Sequence, residues 1–135
     1  MSDDEILLFE IDWTDAEIEN AIDSITRGSY WAEGPYVDRF EDDLESYLGV
    51  EHAVVVNSGT SALLCALDAC GVGPGDEVVV PSFTFIATAN AVRLVGARPV
   101  FADIEPETFG LDPASVRDCV GPDTAAVLPV HPYGG

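Results

Sequence analysis

The chain has 135 residues, 47% of them hydrophobic, enough for one globular domain with a real core. Its 25 acidic residues stand against 5 basic ones, a formal charge of −20, which argues against nucleic acid and anionic membranes as partners. No apolar run approaches a membrane span and "MSDDEILLFEIDW" carries no basic leader segment, so the expected location is the cytoplasm.

The carboxylates are dispersed among apolar positions and form no acidic tail. Self-repulsion of this size suits a folded, salt-adapted (halophilic) protein, because concentrated salt screens charge within a few ångströms. Cys65, Cys70 and Cys119 have neither CxxC spacing nor a histidine pairing, so they read as ordinary thiols in a reducing compartment, with no metal site.

In chain order, the first expected helix starts at Thr14, where "TDAE" forms a capping box with Glu17. Ile18, Ile22 and Ile25 share one of its faces, and Gly28 stops it. The loop "GSYWAEGPY" leads to a second amphipathic helix carrying Val37, Phe40, Leu44, Tyr47 and Leu48, closed by Gly49. Then the chain alternates: strand "AVVVN", helix "TSALLCALDAC", loop "GVGPGD", strand "EVVVPS", helix "FIATANAVRLVG" and strand "RPVFADI". Asp112-Pro113 caps a short helix to about Val120, and "TAAVLPVH" is the last strand.

Continuously apolar strands separated by helices predict an α/β fold, a three-layer αβα arrangement around a mostly parallel sheet. Ligands of such sheets bind outside the carboxyl ends of the strands. The chain ends at "HPYGG", where a further helix would cover the sheet, an ending that reads as a cut through a domain.

Two stretches carry candidate chemistry. In "NSGTSA" a strand meets a hydroxyl-rich helix start, suited either to an anion or simply to a tight connection with a good cap. It is neither a Walker A loop nor GxGxxG. In "PSFTFIATANAV", Phe83 and Phe85 sit at the carboxyl end of a strand, where a ring can lie on a planar ligand or fill the core.

Together with "GVGPGDEVVVPSFTF", "GARPVFADIEPETFGLDP" and "VHPYG", these motifs are in the order and register of a known family. The chain resembles the DegT/DnrJ/EryC1/StrS aminotransferases, sugar aminotransferases among the fold-type-I pyridoxal phosphate enzymes. The resemblance implies the N-terminal part of their large domain. Residues 1–35 would be an N-terminal helix and loop, and residues 36–135 a truncated pyridoxal 5'-phosphate-binding domain. It further implies that Gly59, Thr60 and Ser61 hold the cofactor phosphate and that Phe85 stacks on the pyridine ring, with Phe83 as the fallback. Tyr30 and Trp31 match a loop near the substrate entrance, with solvent-shielding packing as the alternative. His131 reads as a structural histidine near the same edge.

The implied reaction passes an amino group, with glutamate as donor, to a keto sugar linked to a nucleotide, in a full-length homodimer. The family's Schiff-base lysine would lie beyond residue 135. All five basic residues are arginines, so the chain alone is expected to be inactive. Two alternatives stay open: a sugar dehydratase of the same family, with histidine in place of that lysine, and a non-catalytic α/β module binding a ligand or a partner.

Overall fold

A computed structural model describes residues 10–29 and 34–134. The chain divides into two compact units, Met1–Val54 and Val55–Gly135. The second expected helix, grouped above with residues 36–135, falls in the first unit.

Helix α1 spans Asp15–Thr26 and starts as the sequence predicts. The backbone N–H and the hydroxyl of Thr14 both donate to Glu17 Oε2 at 2.6 Å, completing the capping box. These bonds hold the Glu17 carboxyl below its ordinary pKa, the Thr14 hydroxyl contributing most. Helix α2 spans Pro35–Leu48, with Pro35 in its first turn and Gly49 in the left-handed conformation that ends it. The Tyr36 hydroxyl donates to Asp23 Oδ2 at 3.0 Å, and the Arg27 guanidinium lies 5.4 Å from the Tyr36 ring centre. Desolvation first, then the hydrogen bond to Asp23, raises the Tyr36 pKa. Neither helix has a buried residue, and Ile18, Ile22 and Ile25 are exposed.

The second unit holds α3 (Gly59–Ala69), β1 (Glu77–Pro81), α4 (Ala87–Leu94), β2 (Arg98–Ala102), α5 (Pro113–Cys119) and β3 (Thr124–Val127). The strands form a parallel sheet in the order β2-β1-β3, with Val79 opposite both Val100 and Val127. Central β1 is the heart of the core: Val78, Val79 and Val80 have 0% exposure. Val78 and Val80 share a face and cluster with Leu67 of α3 and Ala91 and Val92 of α4. Val79 points to the opposite face and is equally buried, as a strand covered on both sides requires. Helix α5 packs against β2. Pro81 closes β1, a position where its missing N–H is tolerated.

Gly96 ends α4 at φ +85°, and a Cβ there would approach Pro74 Cγ to 3.0 Å. Both the backbone conformation and the space therefore call for glycine. Arg98 of β2 pairs with Glu77 of β1, linking the polar ends of two apolar strands.

One expected strand is corrected. "AVVVN", residues 53–57, is not a strand and is no member of the three-stranded sheet among the described residues. A strand requires a ladder with a neighbour, and β-propensity alone cannot supply one.

Candidate functional site

A cavity of about 880 Å³ opens at the carboxyl edge of the sheet. Because the strands are parallel, the segments after β1 and β3 emerge at the same edge. After β1 come Phe83, Thr84 and Phe85; after β3 come Leu128, Pro129, Val130 and Tyr133. Two helix starts also line it, Gly59 and Thr60 of α3 and Ala87 and Thr88 of α4, together with Leu63 and Pro132.

The α3 start is built locally. Ser58, with extended backbone, caps the helix by accepting the Ser61 N–H at 3.1 Å. The Ser61 hydroxyl lies 3.0 Å from Ser58 Oγ and donates to Asn57 Oδ1 at 2.7 Å. These bonds leave Gly59 and Thr60 in the first turn, where the helix itself offers their N–H groups no acceptor. A Cβ on Gly59 would meet no protein atom within 4 Å, and its φ is not positive. Neither strain nor packing within the chain demands glycine there; a side chain would take up cavity space.

The cavity chemistry is one-sided. Its polar side chains are the hydroxyls of Thr60, Thr84, Thr88 and Tyr133. Thr88 is buried, with its hydroxyl 3.0 Å from that of Thr84. Among the described residues no carboxylate lines it, nor does any arginine. Two helix N-termini, with no carboxylate among the described residues, suit an anion, and the apolar walls suit a flat organic body. No described residue of the lining is placed to act as a general base at neutral pH.

The structure brings Gly59, Thr60 and Phe85 around this one cavity. Phe85 is 77% exposed and is not buried among Val79, Ala89 and Val92. Ser61 is not part of the lining; its N–H and hydroxyl serve the helix cap. Phe83 does line the cavity, whereas His131 is exposed and does not. Tyr30 and Trp31 lie outside the described residues. No cluster of potential metal ligands occurs among the described residues.

Sequence reasoning missed Tyr133, Thr84 and Thr88. Tyr133 belongs to "VHPYG", a motif noted for its histidine, yet Val130, Pro132 and the tyrosine line the cavity and the histidine does not. Its backbone is left-handed, φ 57°, as is that of Phe109, φ 58°; they are the two such non-glycine residues among those described. For a residue with a Cβ this conformation costs on the order of 1–2 kcal/mol. The Phe109 ring sits 5.8 Å from that of Phe83 and 5.7 Å from that of Tyr133.

Residues 12–135 match the DegT/DnrJ/EryC1/StrS aminotransferase family. The chain belongs to that family. Among similar family proteins, GDP-perosamine synthase of Caulobacter vibrioides is 50% identical over 101 residues, 75% of this chain and 27% of that protein. The 3-oxo-glucose-6-phosphate:glutamate aminotransferase of Bacillus subtilis is 39% identical over 124 residues, 90% of this chain and 28% of the other. The crystal structure of NtdA from Bacillus subtilis with bound cofactor PMP superposes with a TM-score of 0.79 at 39% identity, over 90% of this chain and 28% of that one. The chain thus spans less than a third of the length of these relatives. No helix among the described residues is long and apolar enough to cross a membrane.

Proposed function

We propose that this chain supplies the phosphate-binding turn and ring-stacking wall of a pyridoxal 5'-phosphate site, in an aminotransferase acting on a keto sugar. The observation that carries the reading is the cavity lined by the α3 and α4 starts, four hydroxyls and the Phe85 ring, with no carboxylate among the described residues. Gly59 and Thr60 would bind the phosphate through backbone N–H groups and the Thr60 hydroxyl. Ser61 contributes by bonding to Ser58 and Asn57, which holds the turn open. Phe85 would orient the pyridine ring and exclude water from one face. When bound, the cofactor supplies the electron sink for transamination.

The sequence holds no lysine, and no described residue of the lining is a general base. The chain holds and orients; the amine that moves the proton lies outside these 135 residues. A nucleotide-linked keto sugar as acceptor and glutamate as donor fit the names of the relatives above. A homodimer is the expected assembly of the full-length protein, and the cytoplasm its expected compartment. The dispersed carboxylates support a salt-adapted protein, whose melting temperature rises from dilute to molar salt; a fall would refute that adaptation.

The test is to titrate the 135-residue chain with pyridoxal phosphate in molar salt and follow the cofactor's absorbance. Saturable binding, weakened by Phe85→Ala, is expected. Glutamate should then produce conversion to the amine form no faster than with free cofactor. Absence of saturable binding, or faster conversion, would overturn the reading.

A further inference from the structure

The aromatic row at the cavity rim is separate from the hydrophobic core, and its middle ring does not line the cavity at all. Phe109 touches Phe83 on one side and Tyr133 on the other, and both of those residues do line it. Phe109 is carried by a tightly closed loop after β2. Ile104 and Leu111 form an antiparallel bridge, the Glu105 N–H donates to Gly110 O at 2.8 Å, and the Phe109 N–H donates to Glu105 O at 2.9 Å. The Thr108 hydroxyl donates to Glu105 Oε2 at 3.1 Å and accepts the Gly110 N–H at 3.2 Å. Backbone bonds on both sides of Phe109 thus close the loop around its left-handed backbone.

Strain in two bulky residues whose rings meet beside a cavity has a use only if ring placement matters there. We propose that Phe109 is a positioning residue: its ring holds Phe83 and Tyr133 as one wall of the cavity. The edge-on contact with Tyr133 (77° between planes) sets the direction of a side chain that is 86% exposed even with that contact made. Without Phe109 that side chain has little else to hold it, and the segment after β3 loses its anchor to the loop after β2.

The experiment compares Phe109→Gly, Phe109→Leu and Phe109→Tyr in the 135-residue chain. Glycine removes the ring and relieves the left-handed backbone, so the fold should persist. By NMR, the Tyr133 ring signals should move toward free-tyrosine values in Phe109→Gly. Amide exchange at Val130, His131, Tyr133 and Gly134 should rise roughly tenfold, with exchange at Val78, Val79 and Val80 unchanged. Phe109→Tyr should restore both readouts. Phe109→Leu, which keeps apolar bulk without a ring, takes the place of glycine if core exchange rises as well.

A second arm rests on the pyridoxal phosphate reading. The Kd for that cofactor should rise about 3–10-fold in Phe109→Gly, the size of a lost aromatic contact, and recover in Phe109→Tyr. If the unsubstituted chain shows no saturable binding, the cofactor reading falls and the NMR arm alone decides the role of Phe109. Unchanged Tyr133 signals and exchange, or failure of Phe109→Tyr to restore them, would overturn the positioning role.

Discussion

The two units are built by opposite means. In the first, α1 and α2 have sharply marked ends, a full capping box at Thr14 and a left-handed Gly49, and no buried residue in either helix. In the second, β1 has no such local markers, yet Val78, Val79 and Val80 are fully buried and two other strands pair with it. Local hydrogen bonding decides where a helix begins and ends, whereas burial decides how much its removal costs. A residue can therefore sit in a sharply marked element and contribute little, or sit in one without a cap and support the unit.

The largest test of that contrast is Val80→Asp. A carboxylate with 0% exposure and no partner should abolish cooperative folding of the second unit, followed by loss of the thermal transition in molar salt. A near-native transition would mean that the β1 core is not what holds this unit together.

Next in size is the site built on that core. Thr60→Val keeps the shape of the side chain and removes its hydroxyl, so pyridoxal phosphate binding should weaken by about 1–3 kcal/mol while the melting temperature barely moves. Unchanged affinity would remove Thr60 from the proposed phosphate turn.

Within the first unit the expected effects are smaller. Thr14→Ala removes the N-cap and should cost about 1 kcal/mol of α1 stability, read as lost helical ellipticity. The same cap predicts a pH dependence. The Glu17 pKa is lowered in the folded state, so its contribution is complete above the ordinary glutamate value and is lost as pH falls through the lowered one. Acid titration of α1 ellipticity should show a larger loss in the unsubstituted chain than in Thr14→Ala, which keeps only the backbone N–H donor to Glu17; identical curves would separate Glu17 from the Thr14 hydroxyl.

The smallest effect sharpens the comparison from the other side. Ile22→Asp, at an apolar but exposed position of α1, should change the melting temperature of the chain by no more than the equivalent of about 0.5 kcal/mol. Its counterpart at Val80 differs in burial, not in residue class.

Much of the fold was legible because its signals are local. The capping box, Asp112-Pro113 before α5, the apolar run of β1 and the glycine stops all act within a few residues. The failure at residues 53–57 is of the other kind, since "AVVVN" has the composition of a strand and strand pairing is not a local property. Exposure of Ile18, Ile22 and Ile25 has the same origin: periodicity shows that a helix has an apolar face, not what covers it. In the site, Gly59, Thr60 and Phe85 could be named from motif and resemblance. Tyr133, Thr84 and Thr88 could not, because nothing in their neighbours' identity says that they reach the same cavity.

By itself, the sequence determined the family, the α/β alternation, the helix boundaries and the absence of any lysine. Each follows from residue types at fixed spacing along the chain. Only the tertiary structure decided which residues face one another: the strand order β2-β1-β3, the meeting of two helix starts at one cavity, and the Phe83–Phe109–Tyr133 row. Those contacts join segments far apart in sequence. They are selected by the burial of Val78, Val79 and Val80 and by parallel strand pairing, which bring the loops to a common edge without leaving any mark in the loops' own composition.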